Sequence, residues 1–268
     1  MSAAVAASRA EPGILLRADR DGVATLTLNR AGARNALSQA MLAALQVELD
    51  AIAADRTVGA VVLAGNGPAF CAGHDLKEIR ANRSREIYES LLAQCARVMI
   101  TITRLPKPVI ARVHGLATAA GCQLVATCDL AVASTEASFA TPGVHIGLFC
   151  STPMVALSRA VGRKAAMEML LTGDAISAEC AREIGLINRV VAPESLDDEV
   201  GRLAGHIAGK SPLAIAIGKD AFYRQIELDL EEAYVYASRV MTENLMARDA
   251  EEGITAFIDK RPPVWRGE

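Results

Sequence analysis

The stretch His114–Ser134, HGLATAAGCQLVATCDLAVAS, decides how the rest of the chain is read. It follows a strand-like segment, crowds small residues into Ala117–Gly121, runs on with a helical pattern, and ends in the strand-like CDLAVAS. A helix starting near Gly121 leaves its first N–H groups unpaired and carries partial positive charge there, which suits an oxygen anion. Taken alone, Ala119–Gly121 reads first as close helix–strand packing. At Gln123 the chain offers an amide, which can hold a water but cannot take its proton.

Working outward, the upstream segments alternate in period. GVATLTLNR puts Ala24, Leu26 and Leu28 on one face, a half-buried strand. Leu42, Leu45, Leu49 and Ile52 then follow helical spacing, with Ser38 as N-cap. VGAVVLAG (58–65) is continuously apolar, as in a sheet covered on both faces, and ends at the turn GNGPAF. In AFCAGHDLKEI, Ala72–Gly73 allow close backbone approach and are followed by Asp75 and Lys77. Ile87, Leu91, Cys95, Val98 and Ile102 mark a second amphipathic helix, and a strand opens after Pro106 and Pro108. Alternating strands and helices predict an α/β fold with largely parallel sheets. After about residue 160 the pattern turns mostly helical, interrupted by GLINRVV before Pro193. The expected organisation is a leader over 1–12, an α/β core over 13–195 and a helical region over 196–268.

Composition narrows the function classes. A chain of 268 residues, 51% hydrophobic, can bury a sizeable core. The net charge of −3 and an aromatic content of 4% argue against a nucleic-acid surface. Six scattered cysteines without a C-x-x-C pair read as buried thiols, and four separated histidines show no zinc spacing, so no metal is expected. The N-terminal MSAAVAASRAEPG lacks a basic n-region and an apolar core, and no window supplies 18 uninterrupted apolar residues. These features predict a disordered leader, no membrane span and a cytoplasmic protein. GHIAGKS (205–211) has the wrong glycine spacing and leads into Pro212, which excludes a phosphate loop. No G-x-S-x-G nucleophile elbow occurs, and GNGPAF lacks the third glycine of a dinucleotide fingerprint.

Four segments together carry a specific resemblance: AFCAGHDLKEI, PVIARVHGLATAAGCQLVATCDLAVAS, SFATPGVHIGL and EGITAFIDKRPPVW. In combination they resemble the enoyl-CoA hydratase/isomerase (crotonase) family over roughly residues 14–266. The resemblance implies a crotonase-like spiral of β-β-α units with a helical C-terminal trimerisation region, assembled as a homotrimer or a dimer of trimers. It implies an acyl-CoA or enoyl-CoA thioester as substrate and no separate cofactor, coenzyme A being part of that substrate. The backbone N–H groups of His74 and Ala120 would form the oxyanion hole. Ala36, Ala72, Asp75 and Leu76 would surround the coenzyme A, with Lys77 reaching its phosphates. Phe257 and Lys260 match a segment that closes over coenzyme A, often from a neighbouring subunit.

Against that pattern the chain departs twice. Hydratases of the family use two glutamates, at the positions occupied here by Gln123 and Gly143. Neither residue titrates, and His145 is the nearest substitute in sequence. Two readings follow: an enzyme acting on acyl-CoA thioesters in fatty acid metabolism, nominally an enoyl-CoA hydratase, or a non-catalytic fatty acyl-CoA binding or carrier protein.

Overall fold

The computed structural model describes residues 13–268, so the expected leader lies outside the described residues. Strands β1 (Leu15–Arg20) and β2 (Val23–Leu28) form an antiparallel hairpin. Its turn is Asp21-Gly22, both at positive φ (50° and 77°), the conformation that matches strand twist in a tight hairpin. Ala24, Leu26 and Leu28 are fully buried, as the alternation predicts.

Helix α1 (Gln39–Ala54) is capped by Ser38, whose hydroxyl accepts from the Met41 N–H, and buries Met41, Leu42, Leu45, Leu49 and Ile52. Each such side chain contributes about 1.5–3 kcal/mol of apolar burial. The helix returns the chain to β3 (Ala60–Gly65), parallel to β2 and buried at every residue.

From β3 onward the chain repeats one unit. β3 is followed by β4 (Ala69–Cys71), then α2 (Leu76–Ala81) and α3 (Arg85–Arg104). β5 (Val109–Val113) is followed by β6 (Leu116–Thr118) and α4 (Ala120–Thr127). β7 (Leu130–Ser134) is followed by β8 (Ser138–Ala140), a 3-10 turn at Pro142–Ile146, α5 (Pro153–Ala160) and α6 (Arg163–Thr172). The first strand of each unit joins a larger sheet and the second a smaller one, which makes the fold a spiral of β-β-α units. Closing elements are β9 (Ile176–Ser177), α7 (Ala178–Glu183) and β10 (Arg189–Val191). The larger sheet has the order β1-β2-β3-β5-β7-β10 and the smaller β4-β6-β8-β9.

The main core packs α1, α3 and α4 between the sheets. On the opposite face of the larger sheet, Ala60, Val62, Ile110 and Val132 meet Leu196, Val200 and Ala204 of α8 (Leu196–Ala208). Double coverage explains why β3 reads as a continuous apolar run rather than an alternating one. Three helices complete the chain: α9 (Pro212–Gln225), α10 (Leu230–Leu245) and α11 (Arg248–Ile258). Neither α9 nor α10 buries a single residue fully. No helix of the described residues is long and apolar enough to cross a membrane.

Candidate active site

The spiral brings the two small-residue segments into contact. Cys71 of β4 is paired with Ala117 of β6, so the chain beyond each strand leaves from the same edge. A Cβ on Gly121 would stand 2.1 Å from the Cys71 carbonyl oxygen, leaving no room for any other residue. Gly73, at φ +88°, lies so close to the other segment that a Cβ would stand 2.9 Å from Ala119 Cβ and 3.3 Å from the Ala120 nitrogen. Ala119 itself adopts φ 51°, ψ −118°, a conformation that costs an alanine on the order of 1–3 kcal/mol. That strained residue turns β6 abruptly into α4 and makes Ala120 the first helical residue.

Two backbone donors result. As the first residue of α4, Ala120 has an N–H without an intrahelical acceptor; the first internal bond runs from Gln123 N–H to the Ala119 carbonyl at 3.0 Å. His74 forms an isolated parallel bridge with Leu37. Leu37 donates to the Gly73 carbonyl (2.8 Å) and accepts from Asp75 N–H (3.3 Å). Bonding both neighbours of His74 leaves its own N–H on the other side of the strand, without a backbone acceptor among the described residues. Ala120 and Gly121 are buried, which strengthens any hydrogen bond made there.

The same bridge gathers most of the residues expected around coenzyme A. Ala36 precedes Leu37, and Ala72 N–H donates to the Arg34 carbonyl at 3.0 Å. Asp75 caps α2 by accepting from the N–H groups of Lys77 and Glu78. Leu76 (54% exposed) and Lys77 are then presented on the open side of that helix. Arg30 and Asn35 were not singled out by sequence reasoning, yet they hold this corner. Arg30 donates to the Ala36 carbonyl (2.8 Å) and to Asp75 Oδ2 (3.0 Å). Fully buried at φ 55°, Asn35 donates to the carbonyls of Asn66 and Ala69, both at 2.8 Å. The only sequence signal for it is an asparagine, a residue that tolerates left-handed backbone, beside a glycine- and arginine-rich turn. Burial pushes the Asp75 carboxyl up, but Arg30 and the two helix N–H groups outweigh it and hold it below the usual carboxylate range. Burial also lowers the His74 imidazole below its ordinary value, and neither ring nitrogen has a partner among the described residues.

Gln123 lies one turn along α4 from Ala120, 5% exposed, with Oε1 unpartnered. It lines a cavity of about 1030 Å³ between α3, α4, α5, β7 and α9. Gly143 is buried within the Pro142–Ile146 turn, and a Cβ there would stand 3.0 Å from both Cys150 Sγ and the Leu148 carbonyl oxygen. The loop folds back on itself, with Leu148 N–H donating to the Gly143 carbonyl at 2.9 Å, so a side chain at position 143 fits only if its neighbours give way slightly. His145 is exposed, and its Nε2 donates to the Thr172 carbonyl at 2.9 Å, which commits the ring to the end of α6. Phe257, 86% exposed, and Lys260 stand at the end of α11 in the helical arm rather than in the core.

Asp129, just before β7, is a partly buried junction, its side chain 15% exposed. It accepts from Val109 N–H (2.7 Å), Lys219 Nζ (2.6 Å) and the Tyr223 hydroxyl (2.9 Å). Burial pushes the Lys219 ammonium down against the opposing pull of Asp129. All six cysteines are free and five are buried; burial pushes Cys71, Cys95 and Cys122 each up to about 12, so they are inert thiols at neutral pH.

Comparison with known proteins supplies the context. The model of the enoyl-CoA hydratase/isomerase family matches residues 18–268. The mitochondrial enoyl-CoA hydratase domain-containing protein 3 of Rattus norvegicus is 48% identical over 264 residues, covering 98% of this chain and 88% of the rat protein. Its Homo sapiens counterpart is 49% identical over 248 residues, covering 92% of this chain and 82% of the human protein. The crystal structure of enoyl-CoA hydratase from Mycobacterium smegmatis superposes with a TM-score of 0.93 at 60% identity, covering 95% of this chain and 99% of that one. That of human enoyl-CoA hydratase domain-containing protein 3 gives 0.92 at 47% identity, covering 94% and 100%. The rat, mouse and human relatives are mitochondrial by name, which overturns the expectation of a cytoplasmic protein. That expectation rested on the lack of a secretory signal, and such a lack says nothing about an organelle address, which is amphipathic and arginine-rich instead.

Proposed function

The chain belongs to the enoyl-CoA hydratase/isomerase family, and on that premise we propose that it binds fatty acyl-CoA thioesters with the carbonyl held by the N–H groups of His74 and Ala120. The observation that carries this reading is the strained turn at Ala119, which leaves a buried helix N–H free beside the segment bearing the His74 donor. Peptide N–H groups need no particular side chain, and one such donor is worth ~10²–10³ in rate when charge develops on the carbonyl oxygen. Asp75, held charged by Arg30, fixes the start of α2, so Leu76 and Lys77 stand where the coenzyme A moiety enters.

Hydration needs a group that moves a proton to or from water, and a positioned acid or base contributes ~10²–10⁴. Gln123 holds a hydrogen-bonding group in the right wall but cannot titrate, and Gly143 offers nothing. The pocket therefore polarises a thioester without completing efficient hydration. Gly143 favours a second reading specifically: a loop closed around a glycine suits a protein that carries fatty acyl-CoA in fatty acid metabolism without transforming it.

The same reading includes a homotrimer. Leu230, Tyr234, Met241 and Leu245 of α10 are 52–70% exposed and share one helix face, which a single chain leaves uncovered.

Two measurements on the wild-type protein test the proposal. Calorimetric titration with a saturated acyl-CoA is expected to show saturable binding; no binding at any chain length contradicts the reading. Following the conjugated enoyl absorbance of crotonyl-CoA is expected to show little loss. Turnover near the ~10 s⁻¹ typical of enzymes contradicts the importance of Gln123 and Gly143.

A further inference from the structure

His74 enters the site described above only through its backbone N–H, and its imidazole is left without a task. We propose that this side chain is a positioning residue: uncharged and packed inside, it seats the peptide that carries the oxyanion donor, so proton uptake by the ring releases the thioester carbonyl; this rests on the acyl-CoA reading of the site.

An imidazole is an unusual group to bury here. Both ring nitrogens are shielded from solvent, and neither has a hydrogen-bond partner among the described residues. A neutral imidazole has one donor and one acceptor to satisfy, so an apolar side chain would fill the same seat at lower cost. The place of the ring follows from the bridge to Leu37. Paired residues of parallel strands send their side chains to the same face, and Leu37 is fully buried in the main core. The ring is therefore wedged on the core side, while the His74 N–H leaves from the strand edge opposite Leu37.

Charge is what this seat cannot accept. An imidazolium brings two N–H donors, and the seat offers no hydrogen-bond acceptor to either nitrogen. The titratable and charged groups of the segments that meet at this corner are engaged or unsuited. Glu78 of α2 attracts an imidazolium, but its Oε2 accepts from the Gln39 N–H of α1 at 3.1 Å. Asp75 is paired with Arg30 at 3.0 Å, and Lys77 and Arg80 of α2 are exposed cations. Tyr88 of α3 donates to the Ile79 carbonyl at 3.3 Å, and no acidic residue stands in the first turn of α1. The thiols of Cys71, Cys95 and Cys122, each pushed up to about 12, stay protonated. Burial outweighs the Leu37 backbone and Glu78 and holds the ring below its ordinary value. The seated form thus excludes a proton that an exposed histidine takes up at about pH 6.5. The seat is intact above that pH and is lost as pH falls below it toward the lowered value.

Calorimetric titration of the full-length protein with octanoyl-CoA at pH 7.5 and pH 5.5 tests this, in wild type, His74→Leu and His74→Gln. The readout is the ratio of the two affinities within each protein, so it does not depend on how well a variant binds at pH 7.5. The 3′-phosphate of the ligand titrates in the same range and contributes equally to all three ratios. Wild type is expected to lose about tenfold more affinity than either variant, the effect of one proton taken up one pH unit below the ordinary histidine value. Equal ratios in wild type and a folded variant overturn the proposal. Should neither variant fold, the ring-carbon NMR shifts of His74 in the wild-type complex decide. A neutral ring is expected for as long as octanoyl-CoA is bound, and a protonated ring in the bound protein overturns the proposal. A wild type that does not bind octanoyl-CoA at pH 7.5 overturns the acyl-CoA reading itself, and this role of His74 with it.

Discussion

On the proposed reading, the absence of an acid at Gly143 is reinforced by backbone geometry and is not only a side-chain change. With Cys150 Sγ and the Leu148 carbonyl each 3.0 Å from where its Cβ would stand, Gly143→Glu must push apart a folded loop. We expect it to cost about 1–3 kcal/mol by overpacking, read as a fall of several degrees in Tm, without gain in crotonyl-CoA hydration even when combined with Gln123→Glu. Recovered hydration in the double variant would show that the loop opens readily. Gly121 gives the opposite kind of test. Gly121→Ala places a methyl group 2.1 Å from the Cys71 carbonyl, so soluble yield and acyl-CoA binding should both collapse. At this scale much was legible: the small residues at 72–73 and 119–121 announced a close approach. Arg30 and Asn35 were not, because their partners at Asp75, Asn66 and Ala69 are 31 to 45 residues away, a separation that local patterns do not encode.

Among elements, the C-terminal helices are attached by polar groups. Asp249, 3% exposed on α11, accepts from the Ser211 hydroxyl (2.6 Å) and from the N–H groups of Arg266 (2.8 Å) and Gly267 (3.0 Å). Ser211 is also the N-cap of α9, so one carboxylate ties α11, the start of α9 and the chain end together. Burial pushes the Asp249 carboxyl up, but Ser211 and the backbone N–H groups together hold it below the usual carboxylate range. A depressed carboxyl stabilises the fold above the ordinary carboxylate pKa and loses that contribution as pH falls through this range toward the lowered value. Amide hydrogen exchange at residues 264–268 should therefore be slow at pH 7 and accelerate selectively upon acidification below the ordinary range. Asp249→Asn should show fast exchange throughout and lose the pH dependence. Helix starts were readable where a cap preceded the apolar period, as Ser38 shows for α1. How the helices dock was not, since α9 and α10 carry no buried stripe to read.

For the whole molecule, alternation of apolar strands and helices pointed to parallel sheets, and the spiral follows from each unit sending one strand to each sheet. Assignment of strands to two sheets was not visible in composition or period; the family resemblance supplied only the spiral of β-β-α units. On the proposed trimer reading, which the exposed apolar face of α10 supports, sedimentation should give a mass near three chains, and Met241→Glu should shift it toward one. The central claim concerns the carbonyl of a bound thioester, and infrared difference spectroscopy with ¹³C=O-labelled octanoyl-CoA addresses it directly. Two N–H donors polarise that carbonyl, so its stretch should move to lower frequency on binding to the wild-type protein. Binding that leaves the frequency where it lies in water would contradict the account.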